Sequence, residues 1–93
     1  MLKHNSYFDG LVQSVGFSRH GRAQSVGVIE PGKHRFGTQA PERMTIISGE
    51  LVVTRDGEAA ATLFAAGTAF EIAGNSSFEV QANEPCAYFC EYL

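Results

Sequence analysis

The chain is short of cysteine, of positive charge and of long apolar runs. Its two cysteines, Cys86 and Cys90, are too few for the disulfide framework of a small secreted domain. They share parity in one apparent strand, too far apart to bridge easily, and read as reduced core thiols. Ten acidic against seven basic side chains give a net charge of −3. Nucleic-acid binders present a basic face, so nucleic acid is not an expected partner, although a small local anion site stays open. No stretch approaches the ~20 apolar residues of a membrane span. The opening MLKHNSYFDG lacks the apolar core of a secretion signal. The expected setting is cytoplasmic, with no membrane partner. Helical periodicity, low-complexity runs and linkers are missing as well.

What remains is a succession of strands and turns. VQSVGFS (12–18) and RAQSVGVI (22–29) flank Arg19-His20-Gly21 as a hairpin. Glu30-Pro31-Gly32 is a turn, KHRFGT (33–38) is short and extended, and ERMTIISGELVVTR (42–55) is strand-like on both sides of Ser48-Gly49. Asp56-Gly57 signals a hairpin before AATLF (60–64). TAFEI (68–72), SFEVQA (77–82) and CAYFCEYL (86–93) follow, each after its own turn. Eight or nine short strands in 93 residues predict one all-β domain, residues 1–93, built as an antiparallel sandwich or small barrel.

Strict alternation sorts the side chains. His34, Phe36 and Thr38 share a face, as do Glu42, Met44 and Ile46. Phe70 pairs with Ile72, Phe78 with Val80, and Cys86, Tyr88, Cys90 and Tyr92 align. On the second hairpin strand Arg22, Gln24, Val26 and Val28 align. If the apolar members face inward, Arg22, Gln24, Thr38 and Glu42 turn toward the interior or its mouth with them.

A glycine, a strand, a glutamate, six residues and a second glycine (Gly32, Glu42, Gly49) resemble the first motif of a cupin. In metal-binding cupins two histidines precede that glutamate; here Phe36 and Thr38 stand in those places. The second motif begins at Gly67, and its usual histidine falls near Ser77 or Phe78. A glutamate with a threonine is a poor transition-metal set, because such sites want imidazole or thiolate donors. No metal and no organic cofactor is expected. The stretches YFDGLVQSVGF, GRAQSVGV, FGTQAPERMTIISGEL, AAGTAFEIAGNSSFEV and PCAYFCEYL together resemble the small single-domain cupins of the pyrimidine/purine nucleoside phosphorylase family. That resemblance implies a cupin-type jelly-roll β-barrel and a homodimer. It also implies broad phosphorolysis of purine and pyrimidine nucleosides to free base and ribose 1-phosphate, with inorganic phosphate as co-substrate, and the missing histidines make that reaction metal-independent in expectation.

Such a reaction needs an anion clamp, acceptors for ribose hydroxyls and a surface for the base. By analogy with glycoside hydrolysis its transition state carries positive charge on the sugar. Arg22 is the phosphate candidate, since a guanidinium grips an oxyanion with two N–H groups; its bland alternative is a solvated turn residue. Ser25 and Thr38 offer hydroxyl donors to the phosphate, and Thr38 is also a catalytic candidate beside Glu42. Glu42 is the catalytic candidate, accepting ribose hydroxyls or stabilising the sugar cation, with a buried structural carboxylate as the alternative. Phe36, Phe70, Phe78 and Tyr88 are nucleoside-stacking candidates, each also a core-packing residue, and stacking tolerates any base. Tyr7 caps either the pocket or a dimer interface. The rival from another class is a metal-free cupin that binds a sugar or nucleotide without turning it over.

Overall fold

Turn chemistry cuts the chain into ten antiparallel strands in the computed structural model, which describes residues 1–93. They are β1 (Lys3–Tyr7), β2 (Val12–Arg19), β3 (Arg22–Ile29), β4 (Gly32–Gly37), β5 (Glu42–Ser48), β6 (Glu50–Arg55), β7 (Thr62–Ala65), β8 (Ala69–Ile72), β9 (Ser77–Ala82) and β10 (Cys86–Tyr92). The β2–β3 hairpin closes through His20 and Gly21, whose φ values of 52° and 74° are those a two-residue hairpin turn demands. At Gly49 the chain leaves one sheet for the other with φ 84°. A Cβ at Gly49 would stand 2.8 Å from the Pro85 carbonyl oxygen, so only glycine makes this passage without displacing backbone.

Six strands form one sheet in the order β1-β2-β3-β10-β5-β8, and four form the other in the order β4-β9-β6-β7. The expected all-β class is therefore correct, but ring closure is not. The two sheets share no hydrogen-bonded ladder, so the barrel is two facing sheets with open edges rather than one closed ring. Their inner faces enclose a core of Val12, Ile29, Met44, Ile46, Leu51, Val53, Phe70, Ile72, Phe78, Val80 and Tyr88, with Ala82, Cys86 and Cys90 between them. Alternation places these residues correctly on β5, β8, β9 and β10.

Two expectations about the strands need correction. The edge strand β1 had no sequence signal, because KHNSY is solvated on both faces and carries no apolar period. On β3 the inward set is Ser25, Gly27 and Ile29, and the outward set is Arg22, Gln24, Val26 and Val28. Val26 and Val28 remain 42% and 46% exposed. The valines misdirect the face assignment because the inner face here carries a serine and a glycine instead.

Candidate functional site

One cavity of about 240 Å³ opens between the six-stranded sheet and strand β4. From the large sheet it receives Ser14 of β2, Ser25 of β3, Glu42 and Met44 of β5, and Tyr88, Cys90 and Tyr92 of β10. Arg35, Phe36 and Gly37 of β4 face them, and Tyr7 with Phe8 closes one side. All three tyrosines of the chain line this one space.

Register explains the clustering. Tyr92 lies opposite Glu42, Cys90 opposite both Met44 and Ser25, and Tyr88 opposite Gly27. Successive odd or even positions on neighbouring strands thus project into the same space. A Cβ at Gly27 would sit 2.6 Å from Cζ and Oη of Tyr88 and 2.8 Å from the Gln13 carbonyl oxygen. The missing side chain at Gly27 leaves the space that the end of the Tyr88 phenol occupies. The Ser25 and Tyr92 hydroxyls share a hydrogen bond of 3.3 Å.

Glu42 is half-buried, and its Oε1 accepts a hydrogen bond from the Cys90 thiol at 3.4 Å. Burial raises its carboxyl above the ordinary value, against a smaller lowering by the Cys90 contact. Burial and the nearby carboxylate push the Cys90 thiol far upward, so it stays protonated as a donor and is no thiolate nucleophile. Desolvation also raises the Tyr88 and Tyr92 phenols; both remain neutral hydroxyls at physiological pH.

The remaining predicted residues separate into those the fold brings to the cavity and those it does not. Glu42, Ser25, Phe36 and Tyr88 line it; Thr38, Arg22, Phe70 and Phe78 do not. Thr38 lies just beyond the end of β4, where its hydroxyl donates to the Ala73 carbonyl at 2.7 Å and accepts from the Ser76 amide at 3.0 Å. It clips two loops together. Phe78 is opposite Phe36 in the β4–β9 ladder and stacks on it with centroids 5.4 Å apart, 3% exposed in the core. Phe70 is equally buried and packs on Phe64 at 4.6 Å. Arg22 sits on the outer face beside Arg19, its partner across the hairpin, on the opposite side of β3 from Ser25.

The cation in the cavity is Arg35. Its Nη2 donates to the Ser77 hydroxyl at 2.9 Å, and no carboxylate lies within salt-bridge distance, whereas Arg43 and Arg55 are paired with Glu71 and Glu58. Parity hid Arg35, which points away from His34 and Phe36 along β4 but occupies an edge strand, where a long side chain can reach round the rim. Ser14, Cys90, Tyr92 and Phe8 were also missed. Tyr92 and Cys90 had a signal, since they share parity with Tyr88.

The cavity does not suit the metal of metal-binding cupins. Its anionic donor is Glu42, already held by a protonated thiol, and His34 turns its Nε2 to the Glu30 carbonyl at 3.1 Å. No group of three or more His, Cys, Asp or Glu side chains converges anywhere in the chain.

Phe8 is conspicuous in its backbone. Gly10 N–H donates to the Tyr7 carbonyl at 3.1 Å, closing a tight turn whose central residues Phe8 and Asp9 have φ 53° and 56°. Side-chain-bearing residues lose about 1–2 kcal/mol each in this left-handed region.

Comparison with known proteins agrees with the full-length resemblance. A family model described as pyrimidine/purine nucleoside phosphorylase matches residues 2–92. A protein of that name from Sorangium cellulosum is 58% identical over 93 residues, covering 100% of both chains. The crystal structure of a protein of unknown function from Vibrio parahaemolyticus superposes with a TM-score of 0.98 at 56% identity, over 100% of this chain and 99% of that one. Another, from Acinetobacter sp. ADP1, gives 0.94 at 38% identity, over 98% and 90%.

Proposed function

The chain belongs to the pyrimidine/purine nucleoside phosphorylase family of enzymes, and on that premise we propose that it cleaves both purine and pyrimidine nucleosides with inorganic phosphate, without a metal. The observation that carries this reading is one cavity holding an unpaired guanidinium, a desolvated carboxylate and five aromatic rings. A phosphate oxygen forms its bond to C1′ as the C1′–N bond breaks. The electron pair leaves with the base, which takes up a proton, and the sugar becomes ribose 1-phosphate.

Each need of that step has a matching group. Arg35 replaces Arg22 as the phosphate clamp, with the Ser25 and Ser14 hydroxyls as neutral donors. Glu42 stabilises the positive charge that develops on the sugar ring, an effect that is large in a water-poor site. Phe36 and Tyr88 contact the base through π faces, which every base has, and broad specificity follows from few contacts to base edges. No covalent nucleophile is required, because positioning and electrostatics supply the acceleration.

Two features of the whole chain extend the reading. Val15, Val26, Val28 and Ile47 are all exposed on strands of the large sheet, and Val15 pairs with Val26 across β2 and β3. A second copy covering this apolar face makes the enzyme a homodimer, so sedimentation equilibrium is expected to give twice the 10.0 kDa chain mass; a monomer at micromolar concentration refutes it. Both cysteines are unpaired and no helix is long and apolar enough to cross a membrane, which suits a cytoplasmic enzyme.

Chromatography of uridine and adenosine incubations, each with and without phosphate after exhaustive chelation, tests the reaction. Free base from both nucleosides only when phosphate is present is the expected result. Release without phosphate makes the protein a hydrolase. Loss of release on chelation, restored by a divalent ion, refutes metal independence. Nucleoside binding with no release in any arm identifies a binding protein instead.

A further inference from the structure

The strained turn between β1 and β2 has no counterpart in the chemistry assigned so far. Hairpin turns that need positive φ at both central positions draw on Asn-Gly or Asp-Gly pairs. At His20-Gly21 this chain keeps glycine second, and at Gly57 a single glycine takes the positive φ. At the β1–β2 turn it instead places Phe8 and Asp9 in left-handed backbone, with Gly10 following at φ 88°. A bulky aromatic there is an outlier, and such outliers concentrate at ligand clamps.

Burial does not account for it. The Phe8 ring remains 41% exposed and lies outside the buried core cluster. What the backbone conformation does achieve is placement. Phe8 lines the cavity mouth with Tyr7, and its ring stands at 90° to that of Phe36 with centroids 5.5 Å apart. It also meets the His34 imidazole, with ring centroids 5.0 Å apart and planes inclined by 41°. Phe36 is itself fixed from behind by its stack on Phe78. Two rings at right angles make a corner, in which a flat heterocycle lies against one face and meets the other ring at its edge.

We infer that Phe8 is a base-positioning residue, held by its turn so that Phe8 and Phe36 form a right-angled slot for the planar base of either nucleoside class. The inference rests on the nucleoside reading of the cavity. It adds that one wall of the slot comes from the edge of the large sheet, and that this wall recognises a planar heterocycle without reading its identity.

The experiment uses the intact enzyme and three variants, Phe8→Ala, Phe8→Tyr and Phe8→Asn. Binding of adenosine and uridine is followed by NMR titration without phosphate, KM by base release, and folding by melting temperature. In Phe8→Ala both nucleosides are expected to bind roughly 5- to 100-fold more weakly, the scale of removing one base-stacking ring, with phosphate KM unchanged within about twofold. Phe8→Tyr keeps the ring and restores binding. Phe8→Asn tolerates positive φ, so it melts no lower than Phe8→Ala while binding as weakly, which separates the ring from the fold. The inference is overturned if Phe8→Ala binds both nucleosides like the parent, or weakens phosphate and nucleoside equally. It is also overturned if affinity follows melting temperature across the series. Failure of the parent itself to bind nucleosides removes the reading of the cavity and this inference together, a result distinct from parent binding that ignores residue 8.

Discussion

Glu42→Gln is expected to lower kcat by about 10²–10³, the scale on which a single preorganised electrostatic contact in a water-poor site acts, while leaving nucleoside KM within a few-fold. The argument is differential. The nucleoside ground state carries no charge at C1′, whereas the transition state does, so a fixed carboxylate favours the transition state over the substrate. Glutamine keeps the shape and accepts the Cys90 hydrogen bond, but removes the charge. A variant that raises KM with kcat intact would place Glu42 in ribose binding alone, and unchanged kcat/KM would remove it from the reaction.

The same substitution has an opposite expected effect on the fold. Burial raises the Glu42 carboxyl, so between the unfolded and folded pKa values the native state holds more protons than the unfolded chain. Stability then falls as pH rises through that window, because the slope follows the difference in bound protons. Once ionised, Glu42 is a half-buried charge the fold would be better without. Glu42→Gln should melt no lower than the parent, and should flatten the fall in melting temperature on the alkaline side of the carboxylate range. If the proposed role of Glu42 holds, activity needs the carboxylate, and the acid limb of kcat in the parent should lie above the ordinary carboxylate pKa. Chemical denaturation and pH–rate profiles of the parent and the glutamine variant measure both.

What the sequence revealed depended on whether one local rule decided the answer. Where an apolar period and a turn residue agreed, as at His20-Gly21 or along Met44 and Ile46, alternation placed the side chains correctly. Strand β3 failed because its two faces are nearly equal in apolar content. Val26 and Val28 outweigh Gly27 and Ile29 only if nothing is known of the Tyr88 ring that fills the space above Gly27. Thr38 followed parity and is buried, yet β4 ends before it and a loop takes both its hydrogen bonds. The cavity's other members depend on tertiary facts: Arg35 on being at a sheet edge, and Phe8 on a backbone conformation its own side chain disfavours. Local rules contain neither.

Arg35→Ala is expected to raise the phosphate KM by about 10- to 100-fold, the loss that follows removal of a hydrogen bond to a charged group, with nucleoside binding little changed. Arg22→Ala is expected to leave both constants within about twofold. The contrast follows from position. Both guanidiniums lack a carboxylate partner, so charge alone does not choose between them. Arg22 lies on the outer face with Arg19, where solvent and salt screen it from anything bound inside. Arg35 lines the same cavity as Glu42 and is anchored by Ser77, so that part of its orientation is already set. Arg35→Lys keeps the charge but loses the two-pronged contact and should recover only part of the loss. Initial rates at varied phosphate and fixed saturating nucleoside decide it. An Arg35→Ala enzyme with the parent's phosphate KM, beside an Arg22→Ala enzyme that has lost phosphate saturation, would return the clamp to the hairpin and require the partner subunit's hairpin to reach the cavity.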